Sequence, residues 1–357
     1  MNHYPSNVKE KLNSIILSMA EHHWLFSQNP GHDFTRQHLG KLSFYDTMRL
    51  IISMGKGSTN DEIMDYFDLD PDLIPSQSAF CQRRRQISLS AFEYLFSEFS
   101  SSFPSTTDKF KDHCILACDG CHVVYATNSD IIEDYNKPRL IDYKGYNHMH
   151  LNGFVDVISK AFLDVVIQPG QQPDEREALH SMLDHFTPDD PQKYIITADR
   201  GYESYDLLFH CELKNLGYVF RVKSPSSPKS ILSYYASELP DDLEEFDVTI
   251  KRFFTDKATN IMKSQSDVYR YINPSKNTPH FYELLRKKHS HLYFLQFRVV
   301  KIKTSENTYE YLITNLPFSF TLDDIRECYH WRWGIEISFR YLKHAAGLLY
   351  FHSKQPE

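Results

Sequence analysis

Apolar side chains recur at helical spacing through the first hundred residues. One such run contains Phe44, Met48, Ile51 and Ile52. The stretch Ser58–Glu62 places candidate cap residues before acids, which is typical of a helix start, and another helical run begins at Ser76. We therefore predict a helical domain over residues 1–105.

The pattern changes from helix to strand after a linker rich in serine at residues 100–105. The run Cys114–Tyr125 is almost continuously apolar and is interrupted by Asp119 and Gly120. Residues 148–158 alternate and are followed closely by the apolar run 161–167, which predicts a hairpin.

Helices and strands then alternate toward the C-terminus. The sequence predicts helices over residues 174–186 and 204–217, and a short buried strand between them that ends at Asp199. Residues 218–313 are rich in predicted strands, and a long helical region runs from Thr321 to about Leu349. This order predicts an α/β core, residues 111–217 plus 314–357, interrupted by a β-rich insertion at 218–313.

The net charge of −8 is unusual for a protein that binds nucleic acid, but it is unevenly distributed. Asp and Glu outnumber Lys and Arg in residues 111–217, where two of the candidate carboxylates lie, and the reverse holds in residues 218–315. Because no apolar run reaches the roughly 18 residues that span a bilayer, and the polar N-terminus lacks a signal-peptide core, we expect a cytoplasmic protein with no membrane contact.

Cys118 and Cys121 form a Cys-x-x-Cys pair close to Cys114, which raises the question of zinc. On a strand, positions 118 and 121 point to opposite faces, and no second Cys/His pair has ligand spacing. We therefore predict buried thiols here.

Three consecutive arginines, Arg83, Arg84 and Arg85, lie in the second of two short predicted helices. Two helices joined by a turn, with the second one basic, fit a helix-turn-helix that contacts DNA. The alternative is a solvated basic face on a small helical domain.

Three carboxylates are candidates for chemistry. Asp119 interrupts an apolar strand, where an unpaired charge is costly, and Asp199 ends another strand, at the edge of a sheet where active sites collect.

The third carboxylate, Glu336, lies on a predicted helix. At 100° per residue, Glu336 shares an arc of roughly 60° with Tyr329, Arg332 and Lys343. The adjacent apolar stripe contains Trp331, Ile335, Phe339 and Leu342. Carboxylates that converge at a sheet edge can hold two Mg²⁺ ions for phosphoryl transfer, and the two cations beside Glu336 can hold phosphates.

Here the chain resembles bacterial insertion-sequence transposases of the DDE class, in the IS-four-type group with a Tyr-x₂-Arg-x₃-Glu-x₆-Lys motif. The matching residues are Tyr329, Arg332, Glu336 and Lys343, and Asp199–Ser204 resembles the second-aspartate motif. Ala117–Gly120 resembles the first, and the stretch between includes Gln168–Gly170 and Glu175–Ala178.

The resemblance implies an RNase H-like core in which Asp119, Asp199 and Glu336 are catalytic and bind two Mg²⁺ ions, with Mn²⁺ able to substitute. It also implies a homodimer that acts on double-stranded DNA, at terminal inverted repeats and at a target. Strands would move by cut-and-paste, in some members through a hairpin intermediate. Because such a fold usually continues beyond its last helix, we expect a C-terminal truncation at Glu357.

One feature departs from the family pattern. Related proteins use a Trp of the insertion to stabilise a flipped base, whereas Trp24, Trp331 and Trp333 all lie outside residues 218–313. Either Tyr293 or Phe294 substitutes, or the hairpin step differs.

Two other functional classes fit the same residues. One is a regulator that binds transposon ends without cutting, because it is catalytically incompetent or truncated. The other is a metal-dependent nuclease that cuts without joining.

Overall fold

The computed structural model describes residues 4–35, 41–102, 109–138, 144–257, 259–273 and 278–349. The chain divides into two compact units. The first contains residues 1–104, 123–149 and 339–357, and the second contains residues 105–122 and 150–338.

Helices make up the N-terminal part of the first unit. They are α1 (Tyr4–Glu21), α2 (Phe44–Ser53), α3 (Thr59–Tyr66), α4 (Gln77–Arg84) and α5 (Leu89–Ser101), with a 3₁₀ helix at His23–Phe26. Ser43 and Ser58 begin α2 and α3 with capping boxes, in which the serine and the acid three residues later bond each other's backbone N–H groups. The predicted helix starts at Ser58 and Ser76 are confirmed. Apolar faces of these helices meet in a core that includes Ile16 and Met48.

Within the described residues, ten strands form one sheet. They are β1 (Cys114–Tyr125), β2 (Tyr135–Asn136), β3 (Tyr146–Asp156), β4 (Ala161–Pro169), β5 (Tyr194–Ala198), β6 (Gly217–Val222), β7 (Phe246–Thr255), β8 (Tyr269–Tyr271), β9 (Leu292–Ser305) and β10 (Thr308–Thr314). Their order is β2-β3-β1-β5-β6-β10-β9-β7-β8, with β4 paired to β3.

The pairing directions divide the sheet. Strands β1, β5 and β6 are parallel neighbours, and such strands are expected to be apolar because both of their faces are covered. From β6 onward the pairs with β10, β9 and β7 are antiparallel, as hairpin connections allow. Residue 218, the predicted first residue of the insertion, lies inside β6, which continues the sheet directly from β5.

In the described part of the chain after β3, six helices follow. They are α6 (Glu175–His185), α7 (Tyr205–Lys214), α8 (Asn260–Ser264), α9 (Pro279–Lys287), α10 (Leu322–Trp331) and α11 (Trp333–His344), with 3₁₀ helices at Pro191–Lys193, Arg200–Tyr202 and Ile231–Glu238. The main core of the second unit joins Leu116 of β1 and Leu179 of α6 to Phe209 of α7 and Phe281 of α9. A mixed α/β architecture with a large sheet is therefore confirmed.

The predicted helical region from Thr321 to about Leu349 is helical over residues 322–344, but it divides at Arg332 into α10 and α11. The Arg332 N–H donates to the Tyr329 carbonyl, a tighter turn than that of an α-helix. This turn changes the angular offset between the two helices. As a result Trp331 is 38% exposed instead of lying in the predicted stripe, whereas Ile335 is buried.

Among the described residues, no helix has both the length and the apolar content needed for crossing a membrane.

Candidate active site

Asp119 and Asp199 lie side by side on neighbouring parallel strands. Cys118 of β1 pairs in register with Ala198 of β5, so the next residue of each chain segment is the aspartate. Neighbouring strands lie about 4.8 Å apart. The sheet therefore brings together two carboxylates that are 80 residues apart in the sequence.

The α10–α11 break places a third carboxylate and a cation at the same edge. Arg332, which is 4% exposed, directs Nη1 at the Asp119 carboxylate (3.4 Å) and Nη2 at Glu336 (3.1 Å). The Tyr329 hydroxyl donates to Asp199 at 3.2 Å. The structure thus gathers Asp119, Asp199, Glu336, Tyr329 and Arg332 in one site within the second unit.

The two aspartates have opposite electrostatic environments. Burial raises the pKa of Asp119 to about 6, and the neighbouring Glu175 and Glu336 add to the rise against the opposing Gly120 N–H and Arg332. Burial also raises the pKa of Asp199, but the Arg200 backbone N–H and the guanidinium groups of Arg332 and Arg221 outweigh it, so that pKa is lowered. Of the two aspartates, Asp119 is therefore the one whose negative charge is less compensated.

Arg221 of β6 is a site residue that the sequence did not indicate. Its guanidinium lies 3.4 Å from Asp199 and 3.1 Å from Glu310 of β10. It also lines a cavity of about 310 Å³ together with Arg200 and Lys223. This basic cavity beside an active-site carboxylate has a charge that suits a phosphate.

A second missed group lies beside Asp119. His150 Nε2 is 3.1 Å from the Glu175 carboxylate, and its Nδ1 is 3.5 Å from His122 Nδ1. A Cβ atom on Gly120 would come within 2.2 Å of His150 and 2.7 Å of Glu175. The glycine after Asp119 is therefore required sterically for these side chains to approach the strand.

The three carboxylates fit a divalent cation by donor type, since Mg²⁺ prefers carboxylate oxygens. In the described structure, however, the oxygens of the three carboxylates do not all lie within 4.8 Å of one another. The Arg332 guanidinium lies between Asp119 and Glu336 instead. Because the negative charge of Asp119 is only partly compensated, the site favours a further cation.

Other predicted site residues lie in the first unit. The guanidinium groups of Arg83 and Arg84 lie over the rings of Phe34 and Phe80, at 5.3 and 5.8 Å, whereas Arg85 is exposed. Lys343 is half-buried near the end of α11. The DNA contacts of these four residues stay predictions.

The raised pKa of Asp119 gives a stability prediction. Because the folded-state pKa is about 6 and the ordinary value is 3.8, the wild type loses stability as pH rises from about 4 through 6. One pKa unit corresponds to about 1.4 kcal/mol. We expect Asp119→Asn to raise the free energy of unfolding by about 1–3 kcal/mol at pH 7.5 in EDTA.

The measurement is urea unfolding of both proteins at pH 7.5 and at pH 3.5. At pH 3.5 most of the gain should vanish, since the wild-type carboxyl is then neutral in the folded state and mostly neutral in the unfolded state. An Asp119→Asn protein that is less stable than the wild type at pH 7.5 would contradict this interpretation.

Comparisons with known proteins identify the family of this chain. A solved structure that it resembles is the cryo-EM structure of a piggyBac transposase synaptic complex with hairpin DNA, with a TM-score of 0.42 and 11% identity. The match covers 83% of this chain and 57% of that chain, so this chain spans little more than half of that chain's length. No curated protein matches. The sequence profile of the Transposase DDE domain matches residues 110–357, well over half of the chain. The protein therefore belongs to the DDE transposase family.

Proposed function

We propose that this DDE transposase nicks DNA at the terminal inverted repeats of its element and joins the 3′-hydroxyl ends to target DNA by cut-and-paste. The observation that carries the proposal is the meeting of Asp119, Asp199 and Glu336 at the side chains of Arg332 and Tyr329. All of these residues lie within the matched transposase domain. Their spacing motif also favours the IS-four-type group.

Transposases of the DDE family generally use divalent metal ions. We assign the ligand role to Asp119, Asp199 and Glu336, and expect two Mg²⁺ ions, with Mn²⁺ able to replace them. Such ions, when bound, would activate the attacking hydroxyl or water and stabilise the leaving oxygen. Arg332 occupies the space between Asp119 and Glu336, and we expect its guanidinium to turn toward a DNA phosphate when cations take its place.

The basic groups beside the carboxylates would position the DNA. Arg221 and Lys223 line the cavity next to Asp199 and offer donors to phosphate oxygens. Tyr329 holds Asp199 through its hydroxyl and thereby orients the carboxylate. Lys343 takes the phosphate-binding role that the motif predicts.

The two predicted substitutes for the missing Trp of the insertion differ in exposure. Tyr293 donates to Glu212 and packs against the main core, whereas Phe294 is 47% exposed beside Phe253, with the ring centroids 5.2 Å apart. Of the two predicted substitutes for the missing Trp, Phe294 is therefore the one that can stack on a base.

The N-terminal helices are proposed to contact the duplex, and Arg85 is the exposed member of their arginine run. Two copies of the chain would act together, each on one transposon end.

The test uses linear DNA that carries the sequence flanking the gene, with its short inverted repeats. We expect Mg²⁺-dependent nicking at the repeat ends, followed by transfer of the 3′-hydroxyl into a target plasmid, and neither in EDTA. Binding in a gel-shift assay without nicking would instead identify an end-binding regulator. Nicking without transfer would identify a nuclease.

A further inference from the structure

A second cluster of chemical interest lies within the second unit, among its helices. His180 of α6, His210 of α7 and His280 of α9 each offer one nitrogen, and these atoms all lie within 4.8 Å of one another. Their side chains are 12%, 2% and 13% exposed. Three imidazoles at this separation, from three helices, are a ligand set for a transition metal.

Carboxylates lie close to all three rings, and for His280 the contact fixes which nitrogen carries the proton. Asp206 accepts from His280 Nδ1 at 2.7 Å and lies 3.5 Å from His180 Nε2. Asp184 lies 3.2 Å from His210 Nε2. Because a carboxylate accepts and does not donate, Nδ1 of His280 carries the proton and its Nε2 keeps the lone pair.

Two of the imidazoles lie in direct contact. The Nδ1 atoms of His180 and His210 are 2.9 Å apart, a distance at which one ring donates a proton to the lone pair of the other. Burial, with His280 next in effect, lowers the pKa of His180 to about 4 and that of His210 to about 2. Neutral imidazole is the form that binds a metal ion, so protonation does not block these two rings at neutral pH.

The surrounding carboxylates also match the outer shell of a metal site. A metal-bound imidazole commonly donates its second nitrogen to a carboxylate, which orients the ring and raises its basicity. Asp206, with a side chain that is 3% exposed, is itself fixed by the backbone N–H groups of His280 and Phe281. The acceptors are therefore already in place.

We propose that His180, His210 and His280 bind one divalent transition-metal ion, Zn²⁺ being the best fit, and that Asp206 and Asp184 orient the imidazoles. Tetrahedral Zn–N bonds of 2.0–2.1 Å separate ligand atoms by roughly 3.4 Å. The His280 ring is stacked 4.4 Å from that of His180 and 3.8 Å from that of His210 between centroids, so the imidazoles must turn for their in-plane lone pairs to meet at one ion. The site is distinct from the carboxylates around Arg332. It would cross-link α9, in the predicted insertion, to α6 and α7.

The test is a titration of untagged full-length protein, stripped with EDTA and desalted, using Co²⁺ as a spectroscopic probe. We expect the protein to bind one equivalent of Co²⁺ with the intense visible absorption of low-coordinate cobalt. Zn²⁺ should displace this bound Co²⁺. Asp119→Asn should keep this equivalent, because the proposed site does not use the active-site carboxylates.

Variants then locate the ion. His210→Gln and His280→Gln should lose the equivalent, and Asp184→Asn, at a largely exposed position, should weaken affinity about 10–100-fold. His185→Gln, an exposed histidine on α6, is the matched control and should bind as the wild type does.

Three results would overturn the proposal: a wild-type protein that binds no such equivalent, binding that persists in both cluster variants, or loss of the equivalent in Asp119→Asn. The wild-type titration decides the matter even if a cluster variant fails to fold. None of these results depends on DNA nicking, so the proposed transposase activity stands or fails separately.

Discussion

Replacing Asp119, Asp199 or Glu336 by Ala is expected to lower the rate of Mg²⁺-dependent nicking by at least about a thousandfold. Metal ions contribute several kcal/mol of transition-state stabilisation in such reactions, and each 1.36 kcal/mol corresponds to tenfold in rate. Each variant removes one of the three carboxylates that meet at Arg332 and Tyr329. The measurement is the single-turnover rate on an end-labelled duplex carrying the inverted repeat.

DNA binding separates a chemical defect from a folding defect. The three variants should shift the same duplex in a gel with nearly wild-type affinity, because the ligands serve chemistry and not docking. The matched control is Asp323→Ala, a carboxylate on α10 that is 84% exposed and should leave nicking unchanged. Nicking at the wild-type rate in any one of the three variants would remove that residue from the proposed metal site.

The sequence predicted those elements whose signal is local. An apolar run broken by Asp119, and a short apolar run ending at Asp199, were enough to identify β1 and β5. Caps at Ser58 and Thr321 likewise predicted the starts of α3 and α10. Each of these signals lies within a few residues of the element that it identifies.

The rest depended on contacts between distant segments. Arg221 follows Asp199 by a helix and a loop, and only the parallel pairing of β5 with β6 brings its side chain to Asp199. Glu175 of α6 and His150 of β3 meet beside Gly120, and β3 is the sheet neighbour of β1. The break at Arg332 has no Pro or Gly at that position, so helical periodicity did not predict it.

The histidine cluster shows the same limit. His180, His210 and His280 are separated by 30 and 70 residues, far outside the spacing of any short metal-binding motif. The Cys118 and Cys121 pair, which does have such a spacing, is a strand segment in which Cys118 is buried and bonds the Tyr202 hydroxyl.

Replacing Arg298 by Ala is expected to lower the free energy of unfolding by about 3–5 kcal/mol, as for a buried ion pair that loses one partner. Arg298 on β9 is 3% exposed and bonds both oxygens of Asp247 on β7. Its Nη1 also donates to the carbonyls of Leu316 (3.2 Å), Pro317 (2.9 Å) and Phe320 (2.9 Å). Truncation therefore leaves a carboxylate without its partner and three carbonyls without this donor.

Urea unfolding, followed by far-ultraviolet circular dichroism, measures the loss. Arg298→Lys keeps the charge but cannot reproduce the planar fork, so its loss should fall between those of the wild type and the Ala variant. Arg286→Ala, at an exposed position on α9, should change stability by less than about 0.5 kcal/mol. A loss below about 1 kcal/mol in Arg298→Ala would show that these bonds are replaced by water at little cost.

The same residue couples the β-rich strands to the proposed catalytic helices. The three carbonyls that Arg298 binds belong to the segment immediately before Thr321, which caps α10, and α10 ends at the Arg332 turn. Loss of Arg298 releases that segment from β9. We therefore expect Arg298→Ala to nick more slowly than the wild type even at temperatures where it stays folded, because Arg332 and Glu336 are then held less firmly against the two aspartates.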